Sequence, residues 1–149
     1  MIKIKNIEDA DATGCYDVFY RAIHEGARPA YSAPQRHAWA PFKEMPVGFA
    51  NALQAPCALM AITDQIVGFI TVLQDGYLDL LFVAPDHHRQ GVATTLYQSA
   101  LLQTKGPLHT EASHLSRPFF LHHGWREITP QRVEKRGAWM TNFVMKLSR

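Results

Sequence analysis

YLDLLFVAPDHHRQGVATTLYQSALLQTK, residues 77–105, joins a strand pattern to a helix pattern. Apolar side chains run almost without a break from Leu78 to Val83, which is typical of a strand buried on both faces. Pro85 ends that strand, because proline cannot donate a ladder hydrogen bond. From Gly91 the apolar residues recur at helical spacing until a Gly-Pro pair stops the helix. The sequence therefore predicts a strand, a short loop and a long helix, in that order.

The loop between this strand and this helix, HHRQGVAT, residues 87–94, has the composition of an anion-binding site. The first N–H groups of a helix have no intrahelical partners and carry a partial positive charge. Gly91 would let a phosphate approach the backbone closely, and Arg89 adds a permanent positive charge. A pyrophosphate would fit here, although an ordinary strand–turn–helix unit can have the same form.

The wider string LFVAPDHHRQGVATTLYQSAL resembles the acetyl-CoA-binding motif of the GNAT N-acetyltransferase superfamily. That motif is a hydrophobic strand ending in Val-x-Pro, followed by Gln/Arg-x-x-Gly-x-Gly/Ala. Val83, Pro85, Gly91 and Ala93 match it, whereas His88 stands where the family usually has Gln or Arg. The C-terminal string RVEKRGAWMTNFVMKL is similar to the small YafP-like subgroup of this superfamily.

The predicted order of elements agrees with this resemblance. It is one strand, two or three helices, three antiparallel strands, a helix, a strand, a short helix and a final hairpin. Gly26 and Pro29 are predicted to end the first helix, and Ser32-Ala33-Pro34-Gln35 has the form of a new helix start, with a capping serine and an early proline. We expect a mixed α/β (α+β) fold in one domain, residues 1–149, and the resemblance implies a GNAT fold whose fourth and fifth strands splay apart. The predicted strands after the N-terminal helices are Cys57–Thr63, Ile66–Leu73, Tyr77–Val83, Leu108–Ala112, Trp125–Val133 and Trp139–Leu147.

The length, net charge and cysteine content of the chain indicate which classes of function are not expected. The chain has 149 residues and a formal net charge of +2, which gives no reason to expect binding to nucleic acid or to a membrane surface. Cys15 and Cys57 are isolated and match no metal or redox spacing, so we expect buried thiols in a reducing compartment. The N-terminus lacks an apolar signal core, and the cytoplasm is therefore the expected location.

The resemblance implies acetyl-CoA as the co-substrate, with its acyl-pantetheine arm lying between the two splayed strands. It implies that backbone groups of Leu81 and Val83 bind this arm, and that Ser113 takes the place of an Asn or Ser that contacts it in the family. The residues expected to bind acetyl-CoA are Leu81, Phe82, Val83, His88, Arg89, Gln90, Gly91, Val92, Ala93, Thr94, Ser113 and Phe120.

Acetyl transfer to an amine requires a base, an oriented thioester and a stabilised thiolate. Asp79 lies among apolar neighbours in the central strand, where burial would raise its pKa, so it is either a base or amine anchor or a structural carboxylate. Glu111, near the end of the fifth strand, is the second candidate, with a solvated strand-end carboxylate as its alternative. Family members commonly use a tyrosine as the acid, and Phe120 stands at its position here. The resemblance therefore implies that the thiolate leaves through water or another side chain.

Acceptor recognition is expected from the N-terminal helices and the last hairpin. A pocket with aromatic side chains and few carboxylates favours a small, partly apolar amine over a polycation, although the tryptophans could simply pack the core. The pairs at residues 87–88 and 122–123 are adjacent histidines that no Cys or carboxylate completes, and we expect no metal site. The residues expected to bind the acceptor are His24, Tyr31, Trp39, Trp139 and Asn142.

The leading hypothesis is an acetyl-CoA-dependent N-acetyltransferase that acts, as a monomer or homodimer, on the primary amine of a small molecule or peptide. A non-catalytic acyl-CoA-binding or regulatory module on the same fold is the alternative, motivated by Phe120. A nucleotide-phosphate-binding protein would explain only the anion-binding loop, which lacks the Lys-Ser/Thr pair of a P-loop.

Overall fold

The computed structural model describes all 149 residues, from Met1 to Arg149. Its element order is the predicted one, and the mixed α/β fold class is confirmed. None of the helices has the length and apolar character needed to cross a membrane. The elements are β1 (Lys3–Asn6), α1 (Ala12–Arg21), α2 (Ala33–Trp39), α3 (Val47–Ala52), β2 (Cys57–Ile62), β3 (Ile66–Val72), β4 (Leu78–Val83), α4 (Val92–Gln103), β5 (Leu108–Ala112), α5 (Arg117–His122), β6 (Arg126–Lys135) and β7 (Ala138–Leu147).

Two antiparallel sheets meet at β4 and β5. One has the strand order β1-β2-β3-β4 and the other has the order β5-β7-β6. A single parallel bridge joins them, between Tyr77 and His109. The buried Thr110 hydroxyl adds one more tie, because it donates to the Leu78 carbonyl at 2.7 Å. No ladder continues past this point, so β4 and β5 splay apart as predicted.

Apolar side chains cover both faces of the four-stranded sheet, which explains the unbroken apolar run in β4. On β3, Ile70 and Val72 pack into a cluster of 16 buried residues that includes Leu96 of α4. The intervening Phe69 points to the opposite face and packs in a second cluster with Cys15 of α1. Helix α4 therefore covers one face of the sheet and α1 covers the other.

A bulge interrupts the pairing of β4 with β3. Leu80 pairs with Thr71 and Leu78 pairs with Val72, which leaves Asp79 without a partner residue on β3. Such a bulge bends the strand and changes the direction in which side chains point. It lies next to the end of β4 that is tied to β5, so it places Asp79 at the base of the gap between the two sheets.

The segment from α1 to α2 contains a predicted helix cap and a turn of π-helix that was not predicted. Ser32 caps α2 as predicted, because its Oγ accepts from the Gln35 N–H at 3.3 Å and its own N–H donates to the Gln35 side chain at 2.9 Å. Helix α1 does not simply end at Gly26, because after Arg21 it continues as a turn of π-helix over Ala22–Gly26. Turns of this kind are rare and occur often at functional sites.

Candidate active site

A cavity of about 560 Å³ opens where β4 and β5 diverge. Strands β4 and β5 and the start of α4 form one side of it, and the π turn, α2 and β7 form the other. Most of the residues predicted to form the site are thus brought together in one space. The predicted site residues that line it are Tyr31, Trp39, Asp79, Leu81, Phe82, Val83, His88, Arg89, Gly91, Val92, Ala93, Thr94, Glu111, Ser113, Phe120 and Asn142.

Three residues of the predicted site do not line this cavity. His24 stacks on Tyr20, with ring centroids 4.3 Å apart, and its Nε2 donates to the Ala40 carbonyl at 2.7 Å. Trp139 is 51% exposed and lies under the Arg132 guanidinium. Gln90 is exposed in the loop before α4. His24 is therefore engaged with Tyr20 and Ala40 away from the cavity, and Trp139 lies on the surface.

The edge of β4 that faces the cavity offers free backbone groups. The N–H of Ala84, just past the strand, donates to the Val67 carbonyl of β3 at 2.8 Å. In an antiparallel ladder the residues that bond to the partner strand alternate, so Leu80 and Phe82 also face β3. Leu81 and Val83 therefore direct their N–H and carbonyl groups into the gap, where β5 is too far away to pair with them.

The loop before α4 has the backbone geometry that an anion needs. Gly91 is the N-cap residue and is left-handed, with φ 80°. A Cβ built at Gly91 would meet no atom within 4 Å, so the glycine is needed here for its conformation and for open space above the helix end. The first intrahelical bond runs from the Thr95 N–H to the Gly91 carbonyl at 3.0 Å, which leaves the preceding N–H groups free.

Charged side chains surround this loop. Arg89 lines the cavity and is itself left-handed, with φ 63°. Asp86 accepts from Arg21 of α1 at 3.0 Å and also contacts the His87 ring, so the loop is anchored to the helix beneath it. No group of three or more His, Cys, Asp or Glu side chains is placed to hold a metal ion.

His88 joins the loop to the π turn. The two segments are in contact, since a Cβ built on Gly26 would lie at van der Waals distance, 3.4 Å, from the imidazole Cε1 of His88. The same Cβ would lie 3.8 Å from the Cγ of Pro85. The His88 side chain therefore connects the anion-binding loop, of which it is part, with the π turn that forms the opposite wall.

Asp79 lies at the β4 bulge and lines the cavity. Burial raises the pKa of its carboxyl above the ordinary value, and the positive charge of Lys135 partly opposes this shift. No hydrogen bond within the protein engages its carboxylate. A half-buried carboxylate without a partner, facing a cavity, has the properties of a base or of an anchor for a cation.

Glu111 lines the same cavity but is held by two donors. The Tyr77 hydroxyl donates to its Oε1 at 3.0 Å, and the Gln131 amide donates to its Oε2. Burial, together with the charge and hydrogen bond of Glu111, raises the pKa of Tyr77 well above its usual range. Because both oxygens of Glu111 are engaged, Asp79 is the freer of the two carboxylates.

Tyr77, Thr110 and Lys135 are among the lining residues that the sequence did not predict. Tyr77 begins a predicted strand and Lys135 lies in the predicted turn of the last hairpin, where side chains are commonly solvated, and Thr110 lies within a predicted strand. Nothing in their local sequence distinguishes them, since their positions depend on how the two sheets meet. Asn142 was anticipated, and its Oδ1 is buried without a hydrogen-bond partner.

Comparison with known proteins gives a consistent result. Residues 29–147 match the family model described as an acetyltransferase (GNAT) domain. An Escherichia coli (strain K12) protein, named uncharacterized N-acetyltransferase YafP, is 37% identical over 146 residues, which are 97% of this chain and 95% of that protein.

Solved structures share the fold over nearly the whole chain. A GCN5-related N-acetyltransferase from Rhodopseudomonas palustris has a TM-score of 0.90 at 26% identity, covering 99% of this chain and 95% of that one. The PaiA N-acetyltransferase of Thermoplasma acidophilum, in complex with coenzyme A, has a TM-score of 0.75 at 15% identity, covering 100% and 99%. At this low identity the second likeness concerns the fold alone.

Proposed function

This chain belongs to the GNAT acetyltransferase family, and we propose that it moves the acetyl group of acetyl-CoA to a primary amine that attacks the thioester directly. The observation that carries this proposal is the single cavity that joins the free edge of β4, the anion-binding loop and an unpartnered carboxylate. A long co-substrate with a phosphate at one end and a reactive thioester at the other matches that arrangement.

Acetyl-CoA would lie along β4 and end at the start of α4. The free backbone groups of Leu81 and Val83 would take the amides of the pantetheine arm, and Ser113 and Phe120 would flank it on the β5 side. The pyrophosphate would bind to the free N–H groups after Gly91, with Arg89 neutralising its charge. This use of the loop is supported by the left-handed conformation of Gly91, which a larger residue would adopt only under strain.

Asp79 would remove the proton from the attacking amine. Its raised pKa keeps it a stronger base than an exposed carboxylate, and it has no competing partner in the protein. Glu111, fixed by Tyr77 and Gln131, would instead shape the electrostatic field beside the amine. The acetyl carbonyl would be polarised by a backbone N–H at the edge of β4.

The acceptor would enter from the side formed by α2 and β7. Tyr31, Trp39 and Asn142 line this side, and with Asp79 they favour a small, partly apolar amine of a metabolite or peptide. Residues 1–149 would form one domain, because both sheets contribute side chains to the same buried cluster. The buried, unpaired thiols of Cys15 and Cys57 support a reducing compartment such as the cytoplasm.

The proposal is tested by following the release of free CoA thiol from acetyl-CoA over a panel of primary amines. Amine-dependent release is the expected result, with calorimetry showing that acetyl-CoA binds in the absence of amine. Tight binding without release for any amine would instead support a non-catalytic acyl-CoA-binding module, which the phenylalanine at position 120 favours. Absence of acetyl-CoA binding would refute both functions.

A further inference from the structure

Acetyl transfer by the proposed function leaves a thiolate, and the rate gains if a side chain gives its sulfur a proton as the bond breaks. Phe120 faces the cavity but has no proton to give. Two phenols line the same cavity, those of Tyr31 and Tyr77. Only a phenol whose proton is not held in another hydrogen bond can give it to the sulfur.

The hydroxyl proton of Tyr77 is already engaged in a hydrogen bond. Its hydroxyl donates to the Glu111 carboxylate at 3.0 Å, at the closed end of the gap where β4 and β5 are tied together. Removing that proton would place a phenolate beside a carboxylate, and the pKa of Tyr77 is raised accordingly. Tyr77 is therefore a poor proton donor.

Tyr31 has the opposite arrangement. Its hydroxyl oxygen accepts from the backbone N–H of His114 at 2.9 Å, and no hydrogen bond of the structure uses its own proton. The neighbouring Ser113 Oγ already accepts from the N–H groups of Leu115 and Ser116, at 3.2 and 3.1 Å. The Tyr31 proton is thus free to point into the cavity at the open end of β5.

The ring of Tyr31 is held firmly in this position. It is 5% exposed and packs edge-on against Trp39, with ring centroids 5.4 Å apart. On its other side lies the imidazole of His114, at 5.7 Å between centroids. The backbone is fixed as well, because the Arg36 guanidinium donates to the Tyr31 carbonyl at 2.6 Å. An oriented phenol of this kind needs no reorganisation before it reacts.

We propose that Tyr31 is the general acid of the reaction. As the amine attacks the acetyl carbon and the C–S bond breaks, the sulfur keeps the bonding electrons and takes the phenolic proton. The phenolate that remains is stabilised by the His114 N–H and recovers a proton from solvent. The amine loses its own proton to Asp79, which then releases that proton to solvent, so that atoms and charge balance over one turnover.

The protonation state of Tyr31 suits this role. Burial raises the pKa of the phenol, while the His114 N–H and the Ser113 hydroxyl partly oppose this shift. The phenol is therefore protonated at neutral pH. An ordinary phenol has a pKa about 1.5 units above that of a thiol, and the His114 N–H reduces the resulting cost by stabilising the phenolate. The titratable group beside the phenol is the His114 imidazole, and the Arg36 guanidinium contacts the backbone carbonyl of the same tyrosine.

Tyr31→Phe tests the proposal, because it removes the hydroxyl and keeps the ring that packs on Trp39. We expect kcat with a good amine to fall by roughly 10²–10⁴-fold, while acetyl-CoA affinity measured by calorimetry stays close to the wild-type value. Tyr16→Phe is the matched control: Tyr16 is 4% exposed, bonds through its hydroxyl to the Phe42 carbonyl and does not line the cavity. That variant should keep the wild-type kcat.

A ring-fluorinated tyrosine at position 31 separates an acid from a structural hydroxyl. Fluorination lowers the phenol pKa at nearly constant size, so the fall of kcat at alkaline pH should move to lower pH. An unmoved pH profile, or a Tyr31→Phe enzyme with wild-type kcat, would overturn the assignment while amine-dependent CoA release by the wild type leaves the proposed function intact. If the wild type itself releases no CoA, the proposed function fails, and the role of Tyr31 fails with it.

Discussion

Gly91→Glu perturbs the anion-binding loop at its most sensitive point. Gly91 has φ 80°, so any side chain there strains the backbone, by roughly 1–2 kcal/mol. A Cβ at this position meets no atom within 4 Å, so no clash adds to that cost. Gly106 provides a matched control, because it has φ 77°, is equally open and lies beyond the other end of α4. Gly106→Glu should therefore destabilise the fold by a similar amount.

The two variants should differ only in binding. A carboxylate placed about 4 Å from a pyrophosphate charge is repelled by about 1 kcal/mol at the dielectric constant of water and by about 4 kcal/mol at the effective value near a protein surface. Taking about 2–4 kcal/mol, the affinity for acetyl-CoA should fall by about 30- to 1,000-fold. Gly106→Glu should leave it unchanged.

Isothermal titration calorimetry with acetyl-CoA measures this difference, with thermal unfolding of both variants as the check on folding. Raising the salt concentration should recover part of the lost affinity of Gly91→Glu, because the repulsion is electrostatic. Equal affinity of the two variants for acetyl-CoA would refute the assignment of this loop to the pyrophosphate.

The remaining predictions concern three side chains of the cavity. Arg89→Ala should weaken acetyl-CoA binding by about 1–3 kcal/mol, the range for losing a charged hydrogen-bond partner, as measured by calorimetry. His88→Arg should bind acetyl-CoA equally well or more tightly in the same assay, and abolished binding would contradict the alignment of this loop. Asp79→Asn should lower kcat/KM by roughly 10²–10⁴-fold. It should also remove the increase of kcat/KM that occurs as the pH rises through the raised pKa of this carboxyl. A fully active variant would exclude Asp79 as the base. The same variant should melt at a higher temperature at neutral pH but not at a pH below the ordinary carboxyl pKa, because a raised folded-state pKa costs stability only as the pH rises through it.

The elements with strong local signals were predictable from the sequence. The apolar run of β4, the glycine before α4 and the Ser-x-Pro start of α2 each carry their own physical cause, and all three appear in the structure where they were expected. The resemblance to the GNAT superfamily, whose motif lies in one continuous segment of the chain, is confirmed. The resemblance to its YafP-like subgroup, which rests on the C-terminal string RVEKRGAWMTNFVMKL, is confirmed as well.

Features that depend on contacts between distant segments could not be predicted. The bulge at Asp79 arises from the register of β4 against β3, which apolar alternation does not specify in a strand buried on both faces. The π turn over Ala22–Gly26 has no sequence signature, and the His88 side chain that it faces comes from a loop about 60 residues further along the chain.

The position of Tyr31 shows the same limit at the site itself. Its aromatic ring suggested a residue of the acceptor pocket, but its hydroxyl bonds to the N–H of His114, 83 residues further along the chain. Trp139 shows the reverse case, because a large aromatic side chain near the site lies on the outer face of β7, 51% exposed. The residue type thus predicted which residues lie near the site better than it predicted where their side chains point.

The central claim is the transfer of an acetyl group from acetyl-CoA to an amine in the cavity between β4 and β5. The most direct test incubates the protein with acetyl-CoA carrying an isotopic label in the acetyl group, together with a primary amine, and follows the label by mass spectrometry. We expect the label to appear on the amine with the wild-type protein and with Gly106→Glu, and far more slowly with Gly91→Glu. Label that stays on CoA for every amine, or transfer at the wild-type rate by Gly91→Glu at low acetyl-CoA concentration, would contradict it.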